Sequence, residues 1–315
     1  AFSFYLINCN DSIEPLAQQY FYIRIWSAPA CLCQYVILGW FLGRQNTTSP
    51  LLIVVTTNAC NICLDLLFVV HYGMNTEGVA LASVLAEYIG LIFGVLLVIR
   101  NIPVSSLSLS WPHLLQADKI KAMLLINGHL FVRTLCLIFT FSFFTVQGAK
   151  FGSAILAANA ILMNFQTFMA YALDGFAHAA EALIGRALGA KNKILFQQSI
   201  KTTALWSLLV ALLFTLTFNF AGQDIINSLT HLTEVREPAY EYLPWLIALP
   251  LISFSSFLLD GVFIGATLSR QMRDCILLSL FLVFLPSWYY TQDLTNHGLW
   301  LALSLFMLMR TLIML

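Results

Sequence analysis

Nine apolar runs follow one another along the chain, near residues 19–43, 50–72, 77–100, 122–148, 153–185, 195–221, 239–267, 272–290 and 296–315, divided by short polar or Pro/Gly-containing stretches. Each is close to the roughly 20 residues a helix needs to cross the hydrocarbon core of a bilayer. In that medium a segment must pair its own backbone N–H and C=O groups, so runs of this length specify helices. A composition 60% hydrophobic and only 10% charged agrees. The expected fold class is an all-α polytopic membrane protein.

Charge sets the orientation and removes one class of partner. The formal net charge is zero and no basic tract occurs, which argues against nucleic acid. Cytoplasmic loops retain Lys and Arg. Ten of the fifteen lie after the first, third, fifth and seventh runs: Arg44, Arg100, Lys119, Lys121, Arg186, Lys191, Lys193, Lys201, Arg270 and Arg273. The other loops hold only Lys150 and Arg236, and Arg24, Arg133 and Arg310 lie within runs. This alternation puts the carboxyl end in the cytoplasm and residues 1–18 outside. The first residues lack a charged region and a small-residue cleavage site, so they do not read as a signal peptide. Cysteines lie mostly inside apolar runs, and Cys60-x-x-Cys63 reads as helix packing rather than redox or zinc chemistry.

An internal repeat constrains the architecture further. Leu38-Gly39-Trp40-Phe41-Leu42-Gly43 recurs 222 residues later as Asp260-Gly261-Val262-Phe263-Ile264-Gly265, each block closing a run that holds Pro29 or Pro250. The first three runs then match the last three, and the trio between has no counterpart before residue 19. Three helices are expected to be absent from the amino end of a twelve-span, two-lobed protein whose lobes are parallel repeats. In that scheme residues 1–100 are a partial first lobe, 101–121 a cytoplasmic linker and 122–315 the second lobe.

Polar side chains at membrane depth cost several kcal/mol unless paired or hydrated, so they are the candidate sites. Asn58, Asn61 and Asp65 share the second run, with Asn61 and Asp65 one turn apart; Ser83 and Glu87 form a second i, i+4 pair, and Gln34 lies in the first run. One carboxylate beside amide and hydroxyl oxygens suits H+ or Na+, and it equally suits interhelical hydrogen bonding. Asp174, His178 and Glu181 share a face of the fifth run, as a gate or structural group near the cytoplasmic end or as a metal or proton relay. Asp260 is placed to titrate or to pair with Arg133, while Arg24 and Arg310 lie near run ends and are expected to snorkel. Phe139, Phe141, Phe143, Phe144, Phe165 and Phe168 line a greasy cavity or, for most of them, face lipid or core. Trp111, Trp245, Trp288 and Trp300 read as an interfacial belt. No G-x-x-x-x-G-K-[ST], H-E-x-x-H or G-x-S-x-G motif is present, so an enzyme is not expected. Asn46-Thr47-Thr48 is a glycosylation sequon by pattern only.

Four strings resemble the multidrug and toxic compound extrusion (MATE) family, in the wording of its DinF-like branch. They are Arg24-Ile25-Trp26-Ser27-Ala28-Pro29; Gly78-Val79-Ala80-Leu81-Ala82-Ser83 with Ala86-Glu87-Tyr88; Ala170-Tyr171-Ala172-Leu173-Asp174-Gly175-Phe176-Ala177; and Leu259 to Thr267 around Asp260-Gly261. The resemblance runs in order from about residue 11 to the end. It implies a monomeric twelve-helix antiporter of the bacterial cytoplasmic membrane that exports amphipathic or cationic compounds in exchange for H+ or Na+, with no other cofactor. The nine runs are then its fourth to twelfth helices. The branch's first-lobe cation site maps onto Asn61, Asp65 and Ser83; its fourth-helix Asn falls on Gln34, and its first-helix Asp has no counterpart. Asp260 lies near, not at, the position of a second-lobe carboxylate of another branch. The rival readings are a flippase for lipid-linked precursors, which predicts a basic central cavity around Arg133, a metal enzyme using Asp174, His178 and Glu181, and a non-functional truncated transporter.

Overall fold

The computed structural model describes residues 14–102 and 116–315. Among them nine helices are long and apolar enough to cross a membrane: α1 (Gln18–Gly43), α2 (Thr48–His71), α3 (Thr76–Asn101), α4 (Ala117–Ala149), α5 (Ser153–Gly189), α6 (Lys193–Leu229), α7 (Thr233–Gly265), α8 (Ser269–Tyr290) and α9 (Gln292–Met314). Each coincides with one expected run, and no strand occurs among the described residues. Helices α5, α6 and α7 extend past the apolar limits because hydrogen bonding continues into their polar ends; Asn192, for example, caps α6 by accepting from the Leu195 amide. Most of the segment expected to face outward and most of the expected linker, with Trp111, lie outside the described residues. Residues 117–121, at the end of that expected linker, form the first turn of α4, with Asp118 near its N-terminus, where a negative charge is favoured.

The chain forms two compact units, residues 1–114 and 115–315. In the first, α3 packs against both α1 and α2. Every residue α3 buries is Gly or Ala: Gly78, Ala80, Ala82, Ala86, Gly90 and Gly94. Helix pairs in lipid gain little from hydrophobic burial and hold together by close van der Waals approach, which small residues permit. A methyl group on Gly90 would lie 2.0 Å from Oγ1 of Thr57. Helix α2 is α-helical to Asp65 and continues as a π-helical turn over Leu66–His71; α8 holds its own π segment at Ser279–Phe284. Such wide turns concentrate at functional sites.

In the second unit α7 packs along α5 and α6 and against α9, and α8 lies against α4 and α9. Phe144, Leu162, Met169, Phe284, Trp300 and Phe306 fill its core. Helix α7 stays α-helical through Pro238, Pro244 and Pro250, and meets α5 so closely that a Cβ on Gly261 would stand 2.1 Å from the Ala177 carbonyl oxygen and one on Gly265 2.4 Å from that of Glu181. The first copy of the repeat differs: Gly39 has nothing within 4 Å. Both copies nevertheless end in the same turn. Gln45 and Thr267, 222 positions apart, have φ of 61° and 58°. The Gln45 and Asn46 amides donate to the Leu42 and Phe41 carbonyls as those of Thr267 and Leu268 do to Ile264 and Phe263. This left-handed stop satisfies carbonyls a helix end would otherwise leave unpaired.

The aromatic expectations are sorted by packing. Trp300 is not a belt residue: it is fully buried, stacks edge-on against Phe144, and donates its Nε1–H to Oδ1 of Asn159 at 3.0 Å. Asn159 and Asn296 exchange reciprocal hydrogen bonds at 2.8 and 3.0 Å, so this buried amide pair is structural. Trp245 and Trp288 are half-buried against the same core. Phe144 and Phe165 belong to the core, Phe143 packs on Phe284 and Trp288, Phe139 and Phe168 are exposed, and Phe141 lines a cavity. Gly261→Ala is expected to force α5 and α7 apart at a cost of about 1–3 kcal/mol, read as a lower melting temperature in detergent. Gly39→Ala should leave melting unchanged, and equal melting of both variants would contradict the close approach.

Candidate functional site

In the first unit the polar residues form two groups rather than one pocket. Asn61 donates from Nδ2 to Oγ of Ser83 at 3.3 Å, joining α2 to α3. One turn on, Asp65 is the last α-helical residue before the π turn; its Oδ1 is buried and has no hydrogen-bond partner among the described residues. The side-chain amide of Gln34 instead donates to the Glu87 carbonyl at 2.7 Å and to Oε2 of Glu87 at 3.0 Å. Arg24 reaches Oε1 of the same carboxylate at 3.6 Å and donates to Ser27 Oγ at 2.5 Å. Arg24 is therefore tied to Glu87, a partner its position near a run end does not announce. Gln34, Glu87 and Asn58 border a small cavity of about 160 Å³. Amide, hydroxyl and carboxylate oxygens, which Asn61, Ser83 and Asp65 carry, are of the kind hard cations prefer.

The second unit holds a larger cavity of about 570 Å³, walled by α4, α5, α7 and α9. Asp260 lies deep in its wall, 7% exposed, and its Oδ2 accepts from both Arg133 and Arg310, the latter at 2.5 Å. The pairing with Arg133 is thus present, and the expectation for Arg310 is corrected. Arg310 does not snorkel: it is 2% exposed, because α9 packs against α7 there and turns its guanidinium onto the carboxylate and Met307 Sδ. Asp174, His178 and Glu181 line the same cavity from α5, and His178 Nδ1 stands 3.5 Å from Oε2 of Glu181 in an exposed pair. Two arginines face three carboxylates, so this cavity is mixed in charge rather than basic. Among the described residues no three His, Cys, Asp or Glu side chains are grouped so that they could hold a metal ion. Gln166, also on this wall, is buried with its Oε1 unpartnered. Sequence position identified it as polar but carried no sign of that orphaned oxygen.

Comparison with known proteins agrees with this architecture. The family model MatE matches residues 130–289. The chain is 39% identical to DNA damage-inducible protein F of Escherichia coli K12 over 98% of its length and 67% of that protein's. It is 25% identical to Protein DETOXIFICATION 42 of Arabidopsis thaliana, spanning 56% of that protein. In structure it is similar to a mutant of the Vibrio cholerae MATE transporter VcmN, with a TM-score of 0.88 at 22% identity, covering 98% of this chain and 70% of that one. The bent form of the same transporter has a TM-score of 0.85 at 21% identity over the same shares.

Removing one member of a buried ion pair strands the other charge and typically costs about 3–5 kcal/mol. Asp260→Leu strands two guanidiniums and is expected to lower the melting temperature most. Arg310→Met should come next and Arg133→Met last, since the side chain of Arg133 is 20% exposed and Asp260 would keep its buried partner. Thermal unfolding of the three purified variants checks the order.

Proposed function

The chain belongs to the MatE family of membrane transporters, and on that premise we propose that it is a secondary antiporter that exports small amphipathic or cationic compounds in exchange for H+ or Na+. The nine apolar helices make it an integral membrane protein. In this reading it resides in the bacterial cytoplasmic membrane with its carboxyl end in the cytoplasm. Residues 1–100 belong to the first lobe, 122–315 form the second, and 101–121 connect them. The alternation of basic loops supports that orientation.

The coupling site is Asp65 with Asn61 and Ser83, and one observation carries this assignment. Oδ1 of Asp65 is shielded from solvent without a donor, at the junction where α2 passes from α to π geometry. A buried, unsatisfied carboxylate oxygen is costly. A proton bound to Oδ1, or Na+ held beside it, relieves that cost. Because Asp65 is the hinge residue between two helical geometries, its occupancy is coupled to how α2 continues toward His71. A ligand shifts a conformational equilibrium only through such a difference in affinity. Reciprocity then requires bound substrate to oppose cation binding. Gln34, held at Glu87, and Asn58 at the neighbouring small cavity are supporting polar groups rather than direct ligands. His178 and Glu181 occupy the rim of the second-unit cavity as gate residues.

In the intact protein, Asp65→Asn is expected to abolish cation-driven export from energised vesicles while leaving protein abundance near that of the parent. Ser83→Ala should weaken export without abolishing it. Undiminished export by the Asp65 variant would remove this residue from the mechanism.

A further inference from the structure

The cavity of the second unit holds three polar functions that cation coupling at Asp65 does not use. Gln166 is 3% exposed, lines the cavity, and has a shielded Oε1 with no donor among the described residues. Buried acceptors are rarely left unpaired, so this oxygen points to a donor supplied from the cavity. Asp174 lies two turns further along the same face of α5, about 12 Å on by helical rise. It borders the cavity half-buried, with no hydrogen bond or ion pair among the described residues. On the facing helix Arg133 gives Nη2 to Asp260, and its remaining N–H groups have no acceptor among the described residues. Ala170, between Gln166 and Asp174 on the α5 face, keeps the space between these groups open.

The charges are arranged as two opposite poles. Arg133 and Arg310 share one carboxylate, Asp260, which leaves a surplus positive charge on that wall; Asp174 and Glu181 put negative charge on the other, where Glu181 pairs with His178 and Asp174 has no ion pair among the described residues. A plain cation would neutralise Asp174 and leave the arginine surplus, and a plain anion would do the reverse. Phe141 and Met163 supply apolar surface, and a volume of about 570 Å³ falls within the range of small-molecule sites. We propose that this cavity binds a zwitterionic amphiphile. Arg133 donates to its carboxylate or phosphate, Asp174 pairs with its ammonium, Gln166 accepts a hydrogen bond from it, and its apolar body lies against Phe141 and Met163. The shared chemistry is the two opposite charges, carried by a soluble compound or by the headgroup of a zwitterionic lipid. This deepens the export reading by naming a substrate class, and it rests on that reading only for the transport steps after binding.

Three fluorescent probes of one scaffold test it by equilibrium titration of the protein in phosphatidylglycerol nanodiscs. Nε-dansyl-lysine carries both charges, dansylcadaverine is the same molecule without the carboxylate, and N-dansyl-6-aminohexanoate is the same without the α-amine. The zwitterion should bind about tenfold or more tighter than either analogue, a difference of about 1.4 kcal/mol or more. Asp174→Asn should erase the preference over the amine-free probe, and Arg133→Gln the preference over dansylcadaverine. Asp174 has no partner to strand, so its variant keeps the test valid even where loss of Arg133 unfolds the protein. Adding phosphatidylethanolamine to the discs should displace the probe if a lipid headgroup is the source and leave it bound if the ligand is soluble; the zwitterion assignment holds in both cases. Equal affinity for dansylcadaverine and dansyl-lysine, or a folded Asp174→Asn protein that keeps the full preference, would overturn the proposal. Selective binding without export faults the transport reading alone, and export without selectivity faults this one alone.

Discussion

Close approach of helix backbones through glycine and alanine is the constraint on which the rest of this structure depends. In lipid, apolar side chains gain little by leaving their surroundings for one another, so contact distance decides which helices associate. Gly261 and Gly265 let α7 lie against the carbonyl oxygens of Ala177 and Glu181 on α5. Gly90 leaves room on α3 for the side-chain hydroxyl of Thr57 on α2. These contacts are what place functional groups: Asp260 precedes Gly261 by one residue, and Gln166 and Asp174 lie on the α5 face that borders the cavity Asp260 shares. A side chain at either glycine would move the carboxylate as well as the helix.

The two units treat buried charge in opposite ways. Asp260 is saturated by two guanidiniums, one of them nearly solvent-free, which makes it a fixed electrostatic element of the second unit. Asp65 has no cationic partner among the described residues, and one of its oxygens is left without a donor. A carboxylate locked in an ion pair cannot change occupancy cheaply, whereas an unsatisfied one gains by taking up a cation. Glu87 lies between these extremes, held by Arg24 and Gln34 at the edge of a small cavity.

Much of the fold was legible because helices in lipid are written in local terms. Span positions follow from apolar length, and the repeat Leu38–Gly43 with Asp260–Gly265 reappears as the same left-handed turn at Gln45 and Thr267. Hydrogen bonding within a turn depends on neighbours in the chain, which a sequence displays. Asn61 and Ser83 do meet across α2 and α3, as their spacing allowed. Expectation failed for two residues whose partners lie far apart in sequence. Arg310 was assigned to a helix end because it is near the end of an apolar run, yet α9 turns it onto Asp260, 50 residues earlier. Trp300 was assigned to an interface for the same reason, yet its indole N–H is spent on Asn159, 141 residues earlier.

The sequence by itself determined that this chain is helical, that nine of its described helices are long and apolar enough to cross a membrane, and that one block of it is duplicated, because apolar length and turn chemistry are short-range properties. Only the tertiary structure decided which buried polar groups are satisfied and which are not. It paired Gln34 with Glu87 and Asp260 with two arginines, and it left Oδ1 of Asp65 and Oε1 of Gln166 without donors among the described residues. Satisfaction of a polar atom depends on which helices approach and at what rotation, and that is set by packing across the bundle rather than by the residues on either side.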